Sequence, residues 1–314
     1  MRDLRIVFMG TPDFAVAILD TLVKAKFNVV GVITAPDKPA GRGQKISESA
    51  VKKYALQNNL NILQPTNLKS EEFIKELQSL NANLQIVVAF RMLPKIIWKM
   101  PKYGTFNLHA SLLPNYRGAA PINWAIINGE TKTGVTTFFI DEKIDTGNII
   151  LQEEVEIGET ETVGELHDKL MLIGSKLVVE TVKQIEQNNV KTFKQPEIDE
   201  KPAPKIYNDT CKINWNDSLD NIYNLIRGLN PYPAAWTTLR NNNEEIKVKI
   251  YDIKKENIEH LHKIGTIITS KEEIKVAVSN GFLIINSLQL AGKRKMESKS
   301  LLNGFTFSQN ALMH

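Results

Sequence analysis

A doubly wound, Rossmann-like α/β domain followed by a small OB-like β-barrel is the fold class that this sequence predicts. Three observations carry the prediction. Through the first 190 residues, short apolar β-rich runs alternate with amphipathic helical patterns. Strands that are apolar throughout have both faces covered, as in parallel pairing with helices on either side. Beyond a proline-bearing, charged stretch the pattern changes to one helix and five short alternating strands, the signature of a small barrel.

The elements follow in order. "LRIVFMG" is a first strand ending at Gly10, and "TPDFA" then puts Thr11 at an N-cap and Pro12 at the first helical position. "NVVGVITA", "LQIVVAF" and "GTFNLHASL" read as further strands, with "SESAVKKYALQNN" and "SEEFIKELQSL" as helices. A dinucleotide-binding turn needs G-x-G-x-x-G so that the backbone can approach a pyrophosphate. Only one glycine stands in the first turn, which disfavours an NAD-dependent dehydrogenase. The helix "TVGELHDKLMLIGSKLVVETVKQIEQ" closes the first domain, expected over residues 1–190, and "KTFKQPEIDEKPAPKIYND" reads as an exposed linker over 191–206. A second domain is expected over 207–314. Its helix "DSLDNIYNLIRGL" sets Leu219, Ile222, Tyr223, Ile226 and Leu229 on one face, and the strands "AAWTTL", "EIKVKIYDI", "GTIITS", "EIKVAVS" and "FLIINSLQL" follow.

Composition narrows the setting. A hydrophobic content of 42% over 314 residues is enough to bury a large core. The single cysteine, Cys211, excludes an internal disulfide framework and a Cys-based zinc site, and points to a reducing compartment. "MRDLRIVFMG" passes directly into a strand without the features of a signal peptide, and no apolar run approaches 18 residues. A cytoplasmic protein without a membrane partner is the expectation. A formal charge of +4 permits an anionic partner without requiring one.

The stretch "FNLHASLLPNYRGAAPINWAI" carries the chemistry. In a strand Asn107 and His109 point to the same face, so they can act on one atom. "SLLPNYRGAAP" then ends the strand at the expected carboxyl edge of the sheet, where α/β folds place ligands. A second element, "FFIDEKIDTGNI", brings Asp141 and Asp145 in a loop, and a carboxylate from it is placed to pair with His109. On its own, a buried histidine is more often a satisfied core residue than a catalyst.

The N-x-H pair, "SLLPNYRGAAP" and the later "DTG" resemble the signature of the 10-formyltetrahydrofolate-dependent formyltransferases. "GTPDFA", "PDKPAGRGQK" and a barrel opening with "NPYPAAW" extend the resemblance over essentially the whole chain. They are similar to the branch whose acceptor is methionine carried on initiator tRNA. The resemblance implies formyl transfer from N10 of the folate to a primary amine, through a tetrahedral adduct bearing an oxyanion. It gives Asn107 and His109 the role of donors to that oxygen, and Asp145 that of stabilising the imidazolium and assisting proton transfer. It implies 10-formyltetrahydrofolate as cosubstrate, no metal, and a folate pocket of Phe90, Met92, Leu93, Ser111, Leu112, Leu113, Pro114 and Asp141. "VVAFRMLPK" departs from the family pattern in being short, with Arg91 where small residues are common.

The same resemblance makes methionyl-tRNA the partner, bound by a monomer. Lys38, Arg42 and Lys45 of "DKPAGRGQK" would grip the acceptor end, and Lys293, Arg294 and Lys295 of the barrel would add contacts. Read without it, that first loop is a solvated turn. From Tyr207 onward the chain has 14 Lys and Arg against 11 Asp and Glu, so only local patches there can attract RNA. A transferase for nucleotide-linked sugar amines and a non-catalytic RNA-binding module on a decayed Rossmann domain are the alternatives.

Overall fold

A computed structural model describes residues 1–40, 45–197 and 201–314. The elements run β1 (Ile6–Gly10), α1 (Asp13–Lys24), β2 (Val29–Ile33), β3 (Lys38–Ala40), β4 (Lys45–Ser47), α2 (Ala50–Gln57), β5 (Ile62–Leu63) and α3 (Glu71–Ser79). Next come β6 (Leu84–Val88), α4 (Lys95–Trp98), β7 (Thr105–His109), β8 (Arg117–Gly118), α5 (Pro121–Ile127), β9 (Lys132–Phe139), β10 (Ile149–Glu156) and α6 (Val163–Glu186). The remainder holds β11 (Pro202–Ala203), α7 (Leu219–Leu229), β12 (Ala235–Asn241), β13 (Glu244–Glu256), β14 (Ile267–Thr269), β15 (Ile274–Val278) and β16 (Gly281–Leu290). Then follow β17 (Met296–Glu297), α8 (Ser298–Leu302) and β18 (Leu312–Met313). Two compact units divide the chain: Met1–Gly118 with Gly134–Val155 and His167–Pro202, and Ala119–Thr133 with Glu156–Leu166 and Ala203–His314.

The first unit is a seven-stranded sheet in the order β10-β9-β7-β6-β1-β2-β5. Strands β1, β2, β5, β6 and β7 pair in parallel, and every residue of β1 and β6 is buried, as continuous apolar strands require. The chain moves outward from β1 through β2 to β5 and returns on the other side of β1 as β6. The switch point therefore lies at the carboxyl ends of β1 and β6, next to that of β7, which is where such sheets hold ligands. Strand β9 runs antiparallel to β7, with His109 opposite Thr136, so the parallel sheet finishes in an antiparallel edge. Helix α1 begins one residue later than the sequence suggests. Pro12 is its N-cap, because the Pro12 carbonyl accepts from the Ala15 and Val16 N–H groups at 3.0 and 3.3 Å. A Cβ at Gly10 would lie 2.5 Å from that of Ala15, so only glycine lets the helix turn this tightly off the strand.

The second unit is an antiparallel barrel in the order β14-β15-β16-β13-β12-β18. It closes where Met313 N–H donates to Gly265 O at 2.9 Å and Ile267 N–H to Ala311 O at 3.3 Å. The five strands expected from sequence are joined by β17 and β18, which at two residues each are too short to show alternation. The apolar face of α7 is buried as expected, and Ser218 caps its N-terminus by accepting from Asn221 N–H at 3.1 Å. Helix α5 packs on α7, with the Asn123 amide donating to Gly228 O at 2.8 Å. Arg227 is buried as well, and its guanidinium donates to Asn224 Oδ1 and to the Glu161 and Gly158 carbonyls. Burial holds its pKa below the usual value, and the charges of Tyr223 and Glu161 offset this only in part.

Candidate active site

Strand β7 ends in the pair that the sequence singles out. Asn107 stands opposite Val87 and Phe138, and His109 lies two residues on along the same face. The His109 ring is 6% exposed, and its Nε2 sits 2.8 Å from Tyr116 O. A carbonyl only accepts, so Nε2 carries the hydrogen and Nδ1 is the nitrogen left to exchange protons. Nδ1 lies 3.9 Å from Asp145 Oδ2, a loose pairing short of a hydrogen bond. The half-buried Asn107 side chain makes no hydrogen bond among the described residues, so its amide donors are uncommitted.

Asp145 takes the left-handed region at φ 55°, which costs a non-glycine residue of order 1 kcal/mol or more unless its surroundings hold it there. They do so on three sides. Its Oδ2 accepts from Gly118 N–H at 3.0 Å, and its carbonyl accepts from Arg117 Nε at 3.0 Å and Gln195 Nε2 at 2.8 Å. Gln195 Nε2 also donates to Gly147 O at 2.9 Å, and Gln195 Oε1 accepts from Arg117 Nη2 at 2.6 Å. Gln195 is 5% exposed although it falls in the stretch read as an exposed linker. The reason is local: the amide has three polar partners here, Asp145, Gly147 and Arg117, and would be unsatisfied elsewhere in an apolar setting.

Gly147 closes the same loop. A Cβ there would lie 1.6 Å from the Phe139 carbonyl oxygen, a backbone atom that cannot swing away. Gly147→Ala is expected to cost about 2 kcal/mol and to lower Tm by roughly 4–8 °C in thermal unfolding. A parent-like Tm would show that the backbone here gives way freely. Asp141 is exposed and braces the loop from outside, accepting from Lys143 N–H at 3.0 Å and Thr146 Oγ1 at 2.7 Å.

The expected folate-contacting residues divide by side-chain direction. Ser111 is fully buried and donates to Asn115 O at 2.7 Å. Leu113 packs with Phe138 and Ile149, and Leu93 with Val7, Met9 and Val87. These three side chains face the interior, so any contact they offer a ligand runs through the backbone; Pro114 is buried too. Leu112 and Phe90 are half-buried, and Met92 is 71% exposed, an apolar side chain in need of cover. Arg91, the departure from the family pattern, is tied down: it donates to Thr66 O at 3.1 Å and to Pro65 O, and lies 5.5 Å over the Phe90 ring.

Lys38 opens β3, which pairs antiparallel with the β4 that Lys45 opens, so the stretch read as a free loop has ladder-paired arms. Arg42 lies outside the described residues. The base of these arms is pinned: Asp37 accepts from Gln64 Nε2 at 2.9 Å and pairs with Lys52, which also meets Glu48 at 2.8 Å. Those contacts hold the Asp37 carboxyl below its usual range, so the pairing persists at neutral pH and is lost only as acid protonates the carboxyl. Lys293, Arg294 and Lys295 form an exposed turn between β16 and β17 in the second unit, with Lys295 Nζ 4.6 Å over the Tyr251 ring. Residues 4–182 match the family model of formyl transferases, and residues 205–306 match that of the formyl transferase C-terminal domain.

The chain belongs to the formyl transferase family.

Relatives of this formyl transferase extend over its whole length. A methionyl-tRNA formyltransferase of Flavobacterium johnsoniae is 62% identical over 315 residues, covering 100% of both chains. One of Bacteroides thetaiotaomicron is 54% identical over 319 residues, covering 100% of this chain and 99% of its own. Among solved structures, the sugar 3N-formyl transferase WlaRD, in the presence of dTDP and 5-N-formyl-THF, is 25% identical with a TM-score of 0.64. The match covers 94% of this chain and 100% of WlaRD. An N-formyltransferase of Helicobacter canadensis, in complex with folinic acid and dTDP-3-aminofucose, is 24% identical with a TM-score of 0.66, a likeness of fold. That match covers 93% of this chain and 100% of the other. No helix among the described residues is long and apolar enough to cross a membrane. In this formyl transferase, Tyr116, Arg117, Gly118 and Gln195 join the site without having been assigned roles from sequence. Their contacts run through backbone atoms or across more than 75 residues of chain, which no local motif records.

Proposed function

We propose that this chain transfers the formyl group of 10-formyltetrahydrofolate to the amino group of methionine on initiator methionyl-tRNA, the step that readies it for translation initiation. The observation that carries this reading is identity of 54–62% along the full chain with proteins named methionyl-tRNA formyltransferases. The residues at the carboxyl edge of the first sheet suit the donor. Half-buried Phe90 and Leu112 with exposed Met92 offer apolar surface, and backbone groups at 111–114 can read the edge of a flat ring. When bound, the folate supplies a formyl carbon whose oxygen gains negative charge as an amine attacks.

Asn107, with its amide uncommitted, donates to that oxygen. Protonated His109 assists from Nδ1, its ring orientation fixed by Nε2–H on Tyr116 O. Asp145 stabilises the imidazolium across 3.9 Å and helps to move the proton released by the amine. These side chains carry the chemistry without a metal. The enzyme works in the cytoplasm as a monomer.

For the acceptor, Lys38, Arg42 and Lys45 hold the tRNA acceptor end, and the barrel of residues 207–314 contacts the tRNA through Lys293, Arg294 and Lys295. Replacing both Arg42 and Lys45 with Ala is expected to raise KM for methionyl-tRNA about tenfold and to flatten its dependence on salt, because fewer counterions are released. Folate binding stays unchanged. Steady-state kinetics across a salt titration, with methionyl-tRNA, free methionine and a nucleotide-linked amino sugar as acceptors, test the reading. Wild-type behaviour of the double variant would return this segment to a solvated turn. Faster formylation of the amino sugar would replace the tRNA assignment by that of a sugar-amine transferase.

A further inference from the structure

We infer that Gln195 is a positioning residue for formyl transfer: together with Arg117 it holds Asp145 in the left-handed backbone conformation that aims its carboxylate at His109. The inference rests on the role proposed above for Asp145. Asp145 at φ 55° is a non-glycine residue whose conformation must be imposed by its neighbours. Among the described residues its carboxylate accepts one hydrogen bond, from Gly118 N–H at 3.0 Å. The backbone that carries it is fixed by two side chains, Arg117 Nε at 3.0 Å and Gln195 Nε2 at 2.8 Å on the same carbonyl.

Gln195 is suited to this work by having both a donor and an acceptor on one planar group. Its NH₂ spans the carbonyls of Asp145 and Gly147, the two ends of the D-T-G turn, while its oxygen receives Arg117 at 2.6 Å. The turn and the arginine are thereby linked by one amide from a distant part of the chain. At 5% exposure that amide meets little competition from water. Since the His109–Asp145 separation is already 3.9 Å, a further shift of the loop would uncouple the pair altogether.

The test is a double-mutant cycle on the intact enzyme. Gln195→Ala should lower kcat roughly tenfold to a hundredfold with KM for both substrates near the parent value. Gln195→Glu, which keeps the acceptor for Arg117 but aims an oxygen at two carbonyls, should lose at least as much. In an Asp145→Asn background, Gln195→Ala should cost almost nothing more, because the residue acts through that carboxylate. Equal losses in both backgrounds, or wild-type turnover of Gln195→Ala, would overturn the inference. If Asp145→Asn itself is as active as the parent, it is the role of Asp145 that fails instead. Should the Ala variant not fold, the Glu variant carries the same cycle.

Discussion

Asn107→Ala and His109→Ala are each expected to lower kcat about a hundredfold or more, with folate affinity near that of the parent. A single donor aimed at a developing oxyanion is worth on the order of 3 kcal/mol in the transition state and little in the ground state, so its loss falls on kcat. The two side chains reach this by different routes. Asn107 donates from an amide that no described residue engages, so Ala removes a transition-state contact and leaves no orphaned partner behind. His109 is buried and bonded to Tyr116 O, so His109→Ala also removes that buried hydrogen bond and should lower stability by about 1 kcal/mol. His109→Gln, which can keep a donor toward Tyr116 O, separates the two effects: stability should recover and turnover should not. Near-normal turnover in either Ala variant would remove that residue from the mechanism.

Asp145→Asn is expected to cut kcat by roughly tenfold to a hundredfold while leaving the fold intact. The Asn oxygen can still accept from Gly118 N–H, and the carbonyl still receives Arg117 and Gln195, so the turn keeps its anchors. What disappears is the negative charge 3.9 Å from His109 Nδ1. Rapid-quench measurement of a single turnover reads this directly. An unchanged rate would make Asp145 a brace for the loop and nothing more.

How far the site could be read from sequence depends on the kind of contact. The face shared by Asn107 and His109 follows from the period of two along a strand, and the structure keeps it. The α/β order and the amphipathic face of α7 follow equally from periodicity. The antiparallel edge at β9 does not, since an apolar strand looks the same in either direction. Ser111, Leu93 and Leu113 show a second limit. The family resemblance placed them near a ligand, but whether a side chain or its backbone faces outward is decided inside the fold, where Leu113 clusters with Phe138 and Ile149, Leu93 joins the core around β1, and Ser111 bonds Asn115 O. Gln195 shows a third, because its neighbours in sequence are charged and proline-bearing, while its role comes from partners 48–78 residues away.

The most direct measurement follows the formyl group itself. Carbon-labelled 10-formyltetrahydrofolate is incubated with methionyl-tRNA and the intact protein, the ester bond to tRNA is hydrolysed, and label is sought on methionine, in parallel with Asn107→Ala, His109→Ala and Asp145→Asn. The predicted result is N-formylmethionine from the parent enzyme and little from the three variants in the same time. Label released as free formate, label that passes to an amino sugar but not to methionine, or N-formylmethionine formed equally well by all four proteins would contradict it.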